Sequence, residues 1–174
     1  DRVIGLTINV VDEVSVKVPD IRSITYPKLV KGADFIGYDV DFQISFNSCL
    51  LPLDHFVHPL LQEVWDEASS FIRTTIDFVE PYELKQYNTK DFFGKHTDNY
   101  NSLSEDIDRK ITMSVQLSDD ADYVGGDLHI LNQQSSRKKG SIIAFPSLFT
   151  HQVNPIVRGE RWSLISWAWG PEWK

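Results

Sequence analysis

Residues 109–117 read Arg109-Lys110-Ile111-Thr112-Met113-Ser114-Val115-Gln116-Leu117. Ile111, Met113, Val115 and Leu117 fall on one parity, and Thr112, Ser114 and Gln116 on the other. Alternation with a period of two marks a β-strand with unlike faces. If the apolar face packs on a supporting layer, the polar face lines an internal cavity. Polar groups inside a β-sandwich are costly unless they have something to bind. This one strand therefore predicts a layered β fold with an enclosed site.

The surrounding chain extends that reading. From residue 81 onward the signal is nearly all β, with strands expected at 82–87, around His96 and Asp98, and at 110–117, 127–131, 141–145, 151–156 and 161–169. Turn residues separate them at 119–122, Gly125-Gly126, 133–140, Pro146-Ser147 and Arg158-Gly159. Short strands at this spacing indicate a sandwich or jelly roll.

Before residue 81 the pattern is mixed. Ile4, Leu6, Ile8 and Val10, then Val14, Val16 and Val18, suggest two short strands, and Ile36, Tyr38, Val40, Phe42, Ile44 and Phe46 a longer one. The spacing of Phe56, Val57, Leu60, Leu61, Val64, Trp65, Ala68, Phe71 and Ile72 predicts one helix of about five turns. Asp54 is its expected cap and Pro59 lies near its first turn. Residues 1–80 thus read as supporting strands and a helix, 81–174 as the β core, and the chain as a single domain.

Composition narrows the function classes. A net charge of −8 disfavours nucleic acid as a partner, and Arg137-Lys138-Lys139 reads as a solvated turn. No apolar run approaches a membrane span and no signal-peptide pattern is present, so no membrane partner is expected. The chain starts at Asp1 rather than Met, consistent with removal of an upstream segment. The single cysteine, Cys49, forms no internal disulfide, which favours a cytoplasmic setting.

Chemistry concentrates between His96 and Arg161. His96 and Asp98 share a parity and His151 opens a later strand, so the three can meet across neighbouring strands. Two imidazoles and a carboxylate are the ligand set of a mononuclear Fe(II) site with open positions. An H-x-D triplet alone is more often chance than site; the strength lies in the order and β placement of the whole set. Arg161, just beyond the last ligand, suits a co-substrate with a second carboxylate. His55 and His58 read as capping or solvent-facing, and His129 as outward-facing. Trp162, Trp167, Trp169 and Trp173 cluster near the C-terminus, where core closure is the first explanation and a substrate-facing aromatic the second.

Several motifs together resemble a known family. They are Tyr87 leading to Gly94-Lys95-His96-Thr97-Asp98, Arg109-Lys110-Ile111-Thr112 with Val115-Gln116-Leu117-Ser118, and Tyr123-Val124-Gly125-Gly126-Asp127-Leu128. Phe145-Pro146, His151-Gln152-Val153 and Gly159-Glu160-Arg161-Trp162-Ser163 complete the set. The stretch from Gln86 to Trp169 resembles the double-stranded β-helix (jelly-roll, cupin-like) core of Fe(II)/2-oxoglutarate-dependent dioxygenases. Within them it is similar to the prolyl-4-hydroxylase-like branch, which includes the PKHD-type hydroxylases.

The resemblance implies that His96, Asp98 and His151 hold Fe(II), and that Arg161 binds the distal carboxylate of 2-oxoglutarate. Tyr87 would donate to that co-substrate, with Ser163 and Trp167 on the strand face of Arg161 and Leu128 and Val153 as apolar walls. Gln116 stands where several relatives have a tyrosine, which makes it a further co-substrate contact to examine. The implied reaction is hydroxylation with O₂ and release of succinate and CO₂, with ascorbate as a candidate reductant. A prolyl residue of a protein or peptide is the favoured substrate. Small molecules and free amino acids are the alternative, and a non-catalytic metal- or dicarboxylate-binding protein is the rival of a different class. The polar segment from Asn99 to Asp108 is a candidate lid.

Overall fold

The computed structural model describes residues 6–8, 30–31, 44–99 and 107–173. The strands expected within residues 1–20, the 36–43 part of the next strand and most of the candidate lid lie outside these, apart from Leu6–Ile8. In chain order the elements begin with β1 (Leu6–Ile8), β2 (Val30–Lys31), β3 (Ile44–Ser45), β4 (Asn47–Leu50), α1 (Val57–Leu60) and α2 (Gln62–Ile72). Then come β5 (Phe78–Val79), β6 (Glu83–Tyr87), β7 (Phe92–His96), β8 (Ile107–Gln116), β9 (Tyr123–Gly125), β10 (Leu128–Ile130) and β11 (Gln133–Gln134). The last four are β12 (Ile142–Pro146), β13 (His151–Val153), β14 (Ile156–Gly159) and β15 (Arg161–Pro171).

Strands β1-β12-β8-β15-β6-β4-β2 form the major sheet, with β5 on β15, while β11-β10-β13-β7-β3 form the minor sheet. A small β14-β9 ribbon sits apart from both. All pairings are antiparallel. The fold is a double-stranded β-helix.

Parity along β8 and β15 divides the interior into two cores. Ile111, Met113, Val115, Leu164 and Ala168 pack with Trp65 and Ala68 of α2 on one side of the major sheet. Between the sheets, Phe145, Tyr87, Leu128 and Val153 form the second core. Thr112 and Ser114 face that inter-sheet space, as the alternation of 109–117 predicts.

Several boundaries differ from expectation. The expected helix is two: Leu61 takes ψ near 4° and interrupts it after the short turn that contains Pro59. Asp54 is not its cap. Phe56 occupies the cap position, and the Val57 N–H instead donates to His55 Nδ1 (3.3 Å). The strand running to Phe46 changes sheet there, because β3 pairs with β7 and β4 with β6. Phe46 is buried at this crossing, with ring centroids 5.3 Å from Tyr87 and 5.4 Å from Phe93. The segment expected as one strand at 151–156 divides into β13 and β14, which pair with different partners.

The basic cluster is also more than a solvated turn. Arg137 donates to the carbonyls of Gly125 (2.8 Å) and Tyr123 (2.9 Å) and pairs with Asp127 (2.5 Å). It thereby ties down the Gly125-Gly126 turn, where both residues have positive φ and a Cβ on Gly126 would collide with Ile156 at 2.1 Å. Lys139, by contrast, makes an exposed pair with Asp119. Among the described residues no helix is long and apolar enough to cross a membrane.

Candidate metal and co-substrate site

His96 ends β7 and His151 begins β13, and the register places them directly opposite one another. Asp98 lies just past the strand end in a bend rather than within the strand, as its parity argument assumed. The bend is held by the Asp98 N–H donating to the Ser147 carbonyl (2.9 Å). All three side chains are buried, and their ligand atoms lie within 4.8 Å of one another. Asp98 Oδ1 is 3.4 Å from His96 Nε2, and Oδ2 is 3.3 Å from His151 Nε2.

The outer contacts decide what these atoms can do. His96 Nδ1 is 2.7 Å from the Gly94 carbonyl and His151 Nδ1 is 3.0 Å from the Phe149 carbonyl. A carbonyl only accepts, so each Nδ1 carries the hydrogen and each Nε2 presents its lone pair inward. Two lone pairs then converge on a carboxylate, an arrangement that a cation between them satisfies. Thr112 donates to Asp98 Oδ2 (2.7 Å) and sits 3.0 Å from the Ser147 hydroxyl, fixing the carboxylate plane.

Burial alone would push the Asp98 carboxyl up, but hydrogen bonding and positive charge supplied by His151 and His96 would more than offset this and hold it well below the usual range. The carboxylate therefore stays ionised and calls for a cation beside it, a proton on the imidazoles or a metal in its place. Burial pushes His96 down, toward the neutral form a metal requires. Phe93 stacks on the His96 ring with centroids 3.7 Å apart and an interplanar angle of 16°. The donor set fits a divalent metal with three protein ligands on one face.

The cavity beside the triad contains Arg161, which is 3% exposed. The strand register sets it opposite Tyr87 on β6, and its guanidinium lies 5.4 Å from the Tyr87 ring centroid. No carboxylate pairs with Arg161 among the described residues; its Nε donates to the neutral Gln116 Oε1 (3.2 Å). Gln116 does not line the cavity. It is itself held by its amide donating to the Tyr123 hydroxyl (2.9 Å) and the Ser118 carbonyl (3.2 Å), and so it orients Arg161.

Ser163 and Trp167 line the cavity on the Arg161 face of β15, and Ser163 Oγ and Trp167 Nε1 are buried without hydrogen-bond partners among the described residues. Tyr87 lines it too, its phenol pushed above the ordinary value by burial. Leu128 and Val153 form an apolar wall. His129 is half-buried, with the opposite parity to the buried Leu128 and Ile130. Sequence reasoning missed Lys85, Phe93 and Ser147. Lys85 shares the parity of Tyr87 and could have been found from it. Ser147 reaches the site through a turn, which periodicity does not report.

Comparison with known proteins now decides the family. The model of the 2OG-Fe(II) oxygenase superfamily matches residues 82–169, about half of the chain. The chain belongs to this superfamily. A PKHD-type hydroxylase of Idiomarina loihiensis is 31% identical over 89 residues, covering 49% of this chain and 40% of that protein. The chain spans about half the length of the curated relatives it matches.

Among solved structures, the viral collagen prolyl hydroxylase of Paramecium Bursaria Chlorella virus-1, a 2OG complex, superposes with a TM-score of 0.60 at 19% identity. It covers 73% of this chain and 80% of its own. A prolyl hydroxylase from Trichoplax adhaerens, in complex with a hypoxia inducible factor peptide fragment, gives 0.59 at 16% identity, covering 80% and 70%. These likenesses establish the shared fold.

Proposed function

We propose that this protein is a single-domain Fe(II)- and 2-oxoglutarate-dependent hydroxylase acting on a prolyl residue of a protein or peptide. The observation that carries the reading is the buried His96–Asp98–His151 triad opening into the same cavity as Arg161, a buried cation whose partner is neutral. Its likeness to prolyl hydroxylases supports the substrate. Bound together, Fe(II), 2-oxoglutarate and O₂ supply oxidative hydroxylation of a C–H bond, coupled to release of succinate and CO₂.

The chain's own part is to bind, orient and exclude water. His96, Asp98 and His151 would hold the metal, with the Gly94 and Phe149 carbonyls fixing both tautomers. Arg161 would take the distal carboxylate of 2-oxoglutarate as a charge-assisted fork, with Ser163 Oγ and the Tyr87 phenol beside it. Leu128, Phe145 and Val153 keep that wall dry. Ascorbate is the reductant that would keep the metal ferrous, and the buried, unpaired Cys49 suits the cytoplasm.

Anaerobic addition of 2-oxoglutarate to the Fe(II)-loaded protein tests the co-substrate site: a visible charge-transfer band is expected, and its absence with the metal confirmed bound would remove chelation from the account. In air, proline-containing peptides should gain one oxygen while succinate appears, and both should stop in His96→Ala and His151→Ala. Metal binding without succinate release would instead favour a non-catalytic binding protein.

A further inference from the structure

One buried charge in the cavity has no part in the reading above. Lys85 lies on β6 two residues before Tyr87 and directly opposite Ser163 of β15. It is 4% exposed and lines the cavity. Its ammonium stands 4.4 Å from the Phe46 ring centroid, 5.1 Å from Phe93 and 5.5 Å from Trp167. Phe93 is the ring that stacks on His96, so this cation borders the metal ligands as well as the Arg161 strand.

The groups around Lys85 present donors that call for an acceptor. Its one counter-charge among the described residues is Glu83, at 3.4 Å, whose side chain is 19% exposed against 5% for Lys85. In the same cavity Trp167 Nε1 and Ser114 Oγ are buried without partners among the described residues. An ammonium and an indole N–H can only donate, so whatever meets them must accept, and the positive charge selects an anion. A charge held out of water against aromatic rings, with one more-exposed carboxylate at 3.4 Å, is only partly compensated. Both carboxylates of 2-oxoglutarate are already accounted for, one by the metal and one by Arg161.

We propose that Lys85, aided by the Trp167 N–H, is a specificity-determining residue that receives a carboxylate of the primary substrate. The substrate is then a peptide with a terminal or side-chain carboxylate beside the reacting prolyl residue. This deepens the hydroxylase reading and rests on it. Glu83 competes for the ammonium in the empty cavity and yields to the incoming carboxylate.

Two signals separate the two claims. The charge-transfer band on adding 2-oxoglutarate to the Fe(II) protein reports the hydroxylase reading. Anaerobic calorimetry of the loaded protein with acid and amide pairs reports Lys85. The probes are N-acetyl-L-proline against N-acetyl-L-prolinamide, and a C-terminally amidated Gly-Pro-Asp against Gly-Pro-Asn. In the wild type the acid of at least one pair should bind roughly tenfold tighter than its amide, as expected for one charge-assisted contact.

Lys85→Met should erase that preference and Lys85→Arg keep most of it. Glu83→Gln should tighten the acid by removing its competitor. A wild type that treats acids and amides alike, or binds none of them, overturns the proposal, and neither outcome depends on how the variants fold. A Lys85→Met protein that loses roughly tenfold in 2-oxoglutarate affinity also overturns it, by assigning Lys85 to the co-substrate. If no band forms, the hydroxylase reading fails, and the acid–amide comparison still decides what Lys85 binds.

Discussion

Strands β8 and β15 each present two unlike faces within one backbone. Toward α2 they place Ile111, Met113, Val115, Leu164 and Ala168, an apolar layer closed by Trp65. Toward the minor sheet they place Thr112, Ser114, Arg161, Ser163 and Trp167, where three polar atoms have no partner among the described residues. The outer face lowers the free energy of folding, and the inner face raises it. Neighbouring residues only one position apart thus serve opposite ends, and the rigidity of the sheet lets the first hold the second in place.

Substitutions on the two faces should separate cleanly. The largest effect is expected from Met113→Ala, on the outer face, where the side chain is 0% exposed. It should cost about 2–5 kcal/mol of stability as a cavity-forming change. Urea unfolding measures this, and 2-oxoglutarate affinity in the folded protein should stay close to wild type. A large loss of affinity would mean that the faces are not independent.

Arg161→Ala, on the inner face, should do the reverse. Losing a bidentate charge-assisted contact weakens 2-oxoglutarate binding by about 100-fold, read by calorimetry on the Fe(II) protein. Retained affinity would show that another group holds the distal carboxylate. A smaller effect is expected from Thr112→Val, which keeps the shape but removes the donor to Asp98. Fe(II) affinity should fall about tenfold, as for other groups that orient a ligand; an unchanged metal titration would leave Thr112 only a packing role.

The smallest effect concerns pH and lies wholly on the outer side. Burial pushes the Tyr82 phenol up to about 12, against an opposing pull from the Trp65 indole N–H that donates to it (2.7 Å). The folded state keeps this proton where the unfolded state, with a pKa of about 10, loses it. Stability from Tyr82 is therefore fully present below pH about 10 and declines as pH rises toward 12. Urea midpoints at mildly and strongly alkaline pH should show the decline, and Tyr82→Phe should flatten it. An equal slope in that variant would place the titrating group elsewhere.

The legible and illegible parts of the site follow from the range of each interaction. Parity along 109–117 separated the two faces of β8, because side-chain direction in a strand is a local property. The convergence of His96, Asp98 and His151 was legible from residue type and order. The route of convergence was not, since Asp98 sits in a bend held by the Ser147 carbonyl. Gln116 could be flagged as unusual from sequence, but its place behind Arg161 depends on Tyr123, which approaches from another strand. The split of α1 from α2 and the sheet change at Phe46 escaped periodicity because both are set by what packs across the chain.

The sequence by itself determined the β class, the inward polar face, the candidate ligands and the resemblance to 2-oxoglutarate oxygenases. Each of these rests on residue identity and short-range alternation. Tertiary structure alone decided that Arg161 faces a neutral partner, that Lys85 is a second buried cation in the same cavity, and that Phe93 stacks on His96. Those facts depend on which strands become neighbours, and strand pairing joins residues far apart in the chain whose meeting no local pattern encodes.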